Sequence, residues 1–145
     1  MIYLDTSVIA PFYWQEHLSE VVQELLRNEA EVALSQLVEV ELFSALSRRI
    51  RMGEISQAQA GAIADRFEAD IDDGFYTRLP VEALHYRLAR DWIRRFDTPL
   101  RTLDALHLAI ASARGIRLIT ADRGLAGSAE AFGVEVELLM LPEGG

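Results

Sequence analysis

The chain has 145 residues, half of them hydrophobic, and its 23 acidic against 14 basic residues leave a formal net charge of −9. That length and apolar content suit one globular domain with a core of its own. The negative charge argues against a protein that coats nucleic acid by bulk charge, and the absence of cysteine removes disulfides, thiolate zinc sites and thiol nucleophiles. No apolar run is long enough to span a bilayer, and the N-terminus lacks the basic start and apolar stretch of a signal peptide, so a cytoplasmic protein is expected.

The first predicted element is a strand, Ile2–Leu4, that ends on Asp5 and is followed by Thr6 and Ser7. A single Asp at a strand-to-helix turn is ordinarily a helix cap. Helical patterns over 7–14 and 17–28 lead to a strand at Val32–Leu34 and a longer helix over 36–52. In that helix, "SQLVEVELFSAL" carries the apolar stripe Leu37, Val38, Leu42, Ala45 and Leu46, and Glu41 falls inside it while Glu39 is rotated away towards the surface. A carboxylate in an apolar stripe needs compensation, either from an arginine such as Arg48 or Arg49 or from something outside the helix. The next helix, 56–72, runs into "DIDDG" at Asp70–Gly74. This reads as a solvated acidic helix end, because Gly74 is one place early for a calcium loop and Val81 stands where the closing glutamate belongs.

A strand at Phe75–Leu79 precedes a helix over 81–95 that is rich in arginine. Arg87, Arg90, Arg94 and Arg95, with Arg101 beyond, form either a phosphate-binding rim or a solvated face in which Arg87, Asp91 and Arg95 pair at helical spacing. Residues 87–123 hold eight Arg against four Asp, whereas residues 1–86 hold six Arg against fifteen acids, so positive charge is concentrated there. The helix predicted over 102–114 has Asp104 in its first turn, where a favourable interaction with the helix dipole would be reason enough for it. The strand Leu118–Thr120 runs into Asp122, followed by a helix over 123–132 and a last strand at Val134–Leu138. Gly53, Gly115 and Gly133 sit where helices should stop.

Strands alternating with helices predict an α/β fold, a central parallel sheet of four to five strands with helices on both faces, in a single domain over residues 1–145. Ligands in such sheets bind beyond the carboxyl ends of the strands, which is where Asp5 and Asp122 would lie. Asp5, Glu41, Asp104 and Asp122 each have a separate structural excuse. One shared explanation is simpler: they converge and hold a divalent metal. Like charges packed closely stay ionised only when a cation neutralises them. Oxygen ligands without His or Cys suit Mg²⁺ or Mn²⁺, an arrangement that activates water for attack on a phosphodiester.

The stretches "YLDTSV", "LVEVELFSAL", "LRTLDALHLAIA" and "LITADRGL" resemble, in order and spacing, the four acidic motifs of PIN-domain ribonucleases, above all the VapC-type toxins of toxin–antitoxin pairs. The likeness covers essentially the whole chain, although Ile55 to Leu79 matches only in length and helical character. The resemblance implies a PIN fold and a metal-dependent endoribonuclease with Asp5, Glu41, Asp104 and Asp122 as its acidic residues. Asp5, Asp104 and Asp122 would be the metal ligands for Mg²⁺ or Mn²⁺, and Glu41 or Asp122 would complete the ligand set or orient the water. Thr6 and Thr120, in the family's hydroxyl positions, would hydrogen-bond the carboxylates. The products would be a 3′-hydroxyl and a 5′-phosphate. The implied partners are an RNA substrate, a second copy of the chain in a homodimer, and a cognate VapB-like antitoxin covering helices between residues 7 and 60. Within the arginine-rich stretch, Arg94, Arg95 and Arg101 are the candidates to meet that RNA, since a strand must approach a chain of net negative charge.

Other readings remain open at this point. A strand ending in Asp also opens haloacid-dehalogenase phosphatases and receiver domains, but both, like a phosphate-binding P-loop, rely on a lysine, and all fourteen basic residues here are arginine. Among the histidines, His107 lies one turn beyond Asp104 and reads as a hydrogen-bonded core residue. Phe12, Tyr13, Trp14 and Trp92 fit a core or dimer interface better than base stacking. A PIN fold that binds RNA or protein without cutting, an RNA-processing nuclease that is not a toxin, and a nuclease acting on DNA are the functional alternatives.

Overall fold

The computed structural model describes residues 1–143, so the last two residues of the predicted domain lie outside it. Five strands form one parallel sheet: β1 (Ile2–Leu4), β2 (Val32–Ser35), β3 (Thr77–Leu79), β4 (Arg117–Thr120) and β5 (Val136–Leu138), in the order β3-β2-β1-β4-β5. β1 is central, pairing Tyr3 with Ala33 of β2 and with Leu118 of β4. The helices are α1 (Thr6–Tyr13), α2 (Ser19–Asn28), α3 (Gln36–Arg51), α4 (Gln57–Asp72), α5 (Ala83–Arg94), α6 (Thr102–Arg114) and α7 (Arg123–Ala131). None is long and apolar enough to cross a membrane.

Both faces of the sheet are covered, which is why its central strands are continuous apolar runs. Successive side chains alternate between two cores. Ile2, Leu4, Val32, Leu34 and Ile119 pack against Ile9, Val22, Leu42 and Phe67 of α1–α4. Tyr3, Ala33 and Leu118 face the other way, against Leu108, Ile110 and Leu125 of α6 and α7. The strand order reverses direction between β1 and β4. In doubly wound sheets that switch point opens a crevice beyond the carboxyl ends of the strands.

The predicted elements are present, with shifted ends that have local causes. The third strand starts at Thr77 because Phe75 and Tyr76 are turned to aromatic packing: Phe75 stacks on Phe12, and the Tyr76 hydroxyl meets that of Tyr13 at 2.7 Å. The fifth starts at Val136, since the Val134 amide still closes the end of α7 on the Ala129 carbonyl. The predicted helix over 81–95 begins only at Ala83, where the Glu82 amide donates to His85 Nδ1 in a capping arrangement. His85 is therefore a buried capping residue.

Candidate active site

Asp5 follows β1 and occupies the N-cap position of α1, yet its side chain caps nothing. Ser7 Oγ donates to its Oδ1 at 2.5 Å, and Thr120 Oγ1, at the end of β4, donates to its Oδ2 at 2.5 Å. Each hydroxyl is oriented in turn, Ser7 Oγ accepting from the Ala121 amide and Thr120 Oγ1 from the Asp122 amide. A carboxylate that accepts two hydroxyls instead of helix amides is held for its position, and this separates Asp5 from an ordinary cap. Burial raises the Asp5 carboxyl above its usual range, against the lowering effect of both hydroxyls and of His107. Only 5 % of the residue is exposed.

Glu41 comes from the middle of α3. The compensation expected from Arg48 or Arg49 comes instead from across the cleft: His107 Nε2 lies 2.5 Å from Glu41 Oε1, and Thr6 Oγ1 donates to the same oxygen at 3.0 Å. Arg49 is engaged with Glu54 and stacks over Trp14. Burial pushes the Glu41 carboxyl upwards, but the bonds from His107 and Thr6 outweigh it and hold the group below its ordinary value.

Asp104 stands in the first turn of α6, one turn before His107. Burial, then the charge of Asp122, raises its carboxyl, with Glu41 adding in the same sense and His107 and Arg101 opposing. Asp122 is the N-cap of α7, its Oδ1 accepting from the amides of Gly124 (2.8 Å) and Leu125 (3.1 Å). It is thus a true cap, and both cap bonds fall on Oδ1. Hydrogen bonds tie the four acid-bearing elements together at the β1/β4 switch point: Thr120, whose hydroxyl also takes the Asp122 amide, links β4 to Asp5, and His107, one turn beyond Asp104 on α6, links that helix to Glu41. Asp5 and Asp104 each sense the charge of Glu41, and Asp104 that of Asp122.

The donor set suits a hard cation, being carboxylate and hydroxyl oxygen with His107 turned away into hydrogen bonds. Among the described residues, no three His, Asp or Glu side chains stand as a closed cage for one ion. The fit is one of charge and ligand type, which side-chain rotation would have to complete.

The arginines divide. Arg101, at the N-cap of α6, is felt by Asp104. Arg94 lies over Phe96, and Arg95 pairs with Asp97 and lies over Phe132. The pairing of Arg87, Asp91 and Arg95 along α5 is not formed either, because Asp91 pairs with its neighbour Arg90. Thr6 and Thr120 bond the carboxylates directly. Ser7, a third hydroxyl beyond the two expected, bonds Asp5, and a hydroxyl two residues after a carboxylate is a local signal for such a contact. Tyr3 and Ser35 carried no such signal, because an aromatic residue in a central strand and a serine at a helix start are both ordinary.

The sequence model of the PIN domain matches residues 2–130. The chain belongs to the PIN domain family. Known structures share the fold. VapC20 of Mycobacterium tuberculosis, described as a toxin cleaving the sarcin–ricin loop, is 22% identical with a TM-score of 0.71 over 88% of this chain and 95% of that one. FitAcB from Neisseria gonorrhoeae is 22% identical, TM-score 0.73, over 94% of this chain and 96% of its own. VapBC2 from Rickettsia felis, bound to a DNA fragment of its promoter, is 18% identical, TM-score 0.65, over 95% and 98%. No curated protein matches the sequence significantly. In this PIN domain the four acidic motifs noted in the sequence supply the four carboxylates of the cleft.

Proposed function

We propose that this PIN domain is a metal-dependent endoribonuclease and the toxin of a type II toxin–antitoxin pair. One observation carries the reading: Asp5, Glu41, Asp104 and Asp122 are drawn from distant parts of the chain to one cleft at the sheet's switch point, where the charge of Glu41 raises the carboxyls of Asp5 and Asp104 and the charge of Asp122 raises that of Asp104. A buried carboxylate such as Asp5, with other carboxylates clustered near it, destabilises a fold unless a cation is to join them. The toxin role is supported by the family and by the names of its structural neighbours, among them a toxin–antitoxin complex from Klebsiella pneumoniae.

Asp5, Asp104 and Asp122 would hold Mg²⁺ or Mn²⁺, with Thr120 and Ser7 keeping Asp5 oriented. A bound ion would supply Lewis-acid stabilisation of the scissile phosphate and a water acidified enough to attack it. Glu41 orients that water or accepts its proton, since its carboxyl is held in the charged form. Arg101 contacts the phosphate beside Asp104, and Arg94 and Arg95 meet the strand farther out along the end of α5. Cleavage leaves a 3′-hydroxyl and a 5′-phosphate. A VapB-like antitoxin and a second copy of the chain are the expected partners, in the cytoplasm.

Purified protein incubated with total RNA, with and without Mg²⁺ or Mn²⁺, beside Asp5→Asn, tests this. Metal-dependent cleavage lost in the variant is the expected result. Equal cleavage by both proteins would overturn the assignment of the site. RNA binding without cleavage under every metal condition would favour a binding module, and cleavage of DNA in place of RNA would favour the other nuclease class.

A further inference from the structure

Behind Glu41 runs a buried chain of polar groups for which the mechanism above has no use. Ser35 Oγ lies 2.8 Å from the Tyr3 hydroxyl, which lies 2.7 Å from His107 Nδ1, and His107 Nε2 lies 2.5 Å from Glu41 Oε1. Ser35 and Tyr3 are fully buried and His107 is 2 % exposed, so these groups have exchanged water for one another. The carboxylate fixes the sense of the last bond. An ionised oxygen can only accept, so Nε2 must carry the proton, and Tyr3 occupies the other ring nitrogen.

The chain also spans the elements that bear the acids. Tyr3 lies on β1 two residues before Asp5, Ser35 is the N-cap of α3, which bears Glu41, and His107 is on α6 one turn beyond Asp104. With Oε1 tied back by His107 and Thr6, Glu41 Oε2 is the atom left for the cleft. Without His107, nothing on α6 holds the α3 carboxylate in register with Asp104.

We propose that His107, locked from behind by Tyr3 and Ser35, is a positioning residue that fixes the Glu41 carboxylate opposite Asp104, so that Oε2 is presented to the reacting water. This rests on the nuclease reading of the site. The role requires only that Nε2 donate. Gln at 107 can place an amide N–H near the same point, and Leu cannot.

The test combines ring-nitrogen NMR on the metal-free protein with steady-state cleavage kinetics. In the wild type, Nε2 should bear a slowly exchanging proton whose resonance moves in Glu41→Gln. His107→Leu should lower kcat by about 10–100-fold with little change in KM, the range typical of groups that orient site ligands. His107→Gln should recover much of that loss. Tyr3→Phe, which keeps the ring packing and removes the hydroxyl, should cost less than His107→Leu, and it serves as the informative variant if His107→Leu does not fold. A bare Nε2 would overturn the proposal, and so would cleavage by folded His107→Leu at the wild-type rate or a His107→Gln no better than Leu. If the wild type cuts no RNA while the Nε2 proton is present and responds to Glu41→Gln, the nuclease reading falls and the kinetic role with it, whereas a bare Nε2 in an active enzyme sinks the proposal alone.

Discussion

Asp5 shows at the scale of one residue how a site is kept at the expense of stability. Its carboxyl is raised mainly by burial, so the folded state holds its proton more tightly than the unfolded chain does. A raised folded value means that its stabilising contribution is complete below the ordinary carboxylate value of 3.8 and is lost as pH rises through the folded value. Asp104 acts in the same sense, and Glu41 in the opposite one, contributing above 4.5 and losing that as pH falls through its depressed value. Asp5→Asn removes the buried charge and keeps the shape. At neutral pH and without metal it should melt about 2–4 °C above the wild type, on the order of 1 kcal/mol, while losing cleavage. The difference should shrink as pH is lowered towards the ordinary carboxylate value, which calorimetry across a pH series would follow. A variant less stable than the wild type at every pH would mean that the two hydroxyl bonds outweigh desolvation.

At the scale of elements, the helices that carry the acids depend on their ends. α6 closes on Gly115, whose φ of +64° places it in the left-handed region. A Cβ there would meet nothing within 4 Å, so the cost of Gly115→Ala comes from the backbone alone, about 1 kcal/mol by chemical denaturation. α4 starts on a reciprocal cap in which the Gln59 amide donates to Ser56 Oγ at 3.1 Å and the Ser56 amide to Gln59 Oε1 at 2.8 Å. Ser56→Ala should cost about 1 kcal/mol with cleavage unchanged, because α4 contributes no side chain to the cleft. A loss of activity out of proportion to stability would show that α4 supports the site after all.

The whole molecule decides whether a cleft exists at all. Leu108, fully buried on α6 one turn beyond Asp104, belongs to the core that presses the helix on the sheet. Leu108→Ala should cost about 2–5 kcal/mol and lower activity through the population folded. Because the acids assemble only in the folded chain, a divalent ion bound there stabilises it by mass action, by about 2.7 kcal/mol at a hundred times the dissociation constant. Mn²⁺ should therefore raise the melting temperature of the wild type and leave that of Asp5→Asn almost unmoved. An equal rise in both proteins would place the ion elsewhere.

The strand-and-helix alternation, the two-sided burial of the sheet and the four acids were all legible in the sequence, because they rest on local periodicity and on residues that look out of place where they stand. Glu41 was conspicuous since an apolar stripe tolerates no idle carboxylate. Its partner was not legible: an arginine later on its own helix, Arg48 or Arg49, was the candidate, and the group that meets it, His107, comes from α6 on the other side of the cleft. The same applies to Tyr3 and Ser35, ordinary residues until β1, β2 and α6 are packed together. Arg94 and Arg95 looked equivalent to Arg101 along the chain, yet in the fold they are engaged by Phe96, Asp97 and Phe132, whereas Arg101 acts on Asp104. Composition and periodicity thus determined which residues carry charge and which elements they ride on, since both follow from the covalent chain. Which of those charges face one another was decided by the order of strands in the sheet and the packing of helices across it, contacts that no local pattern encodes.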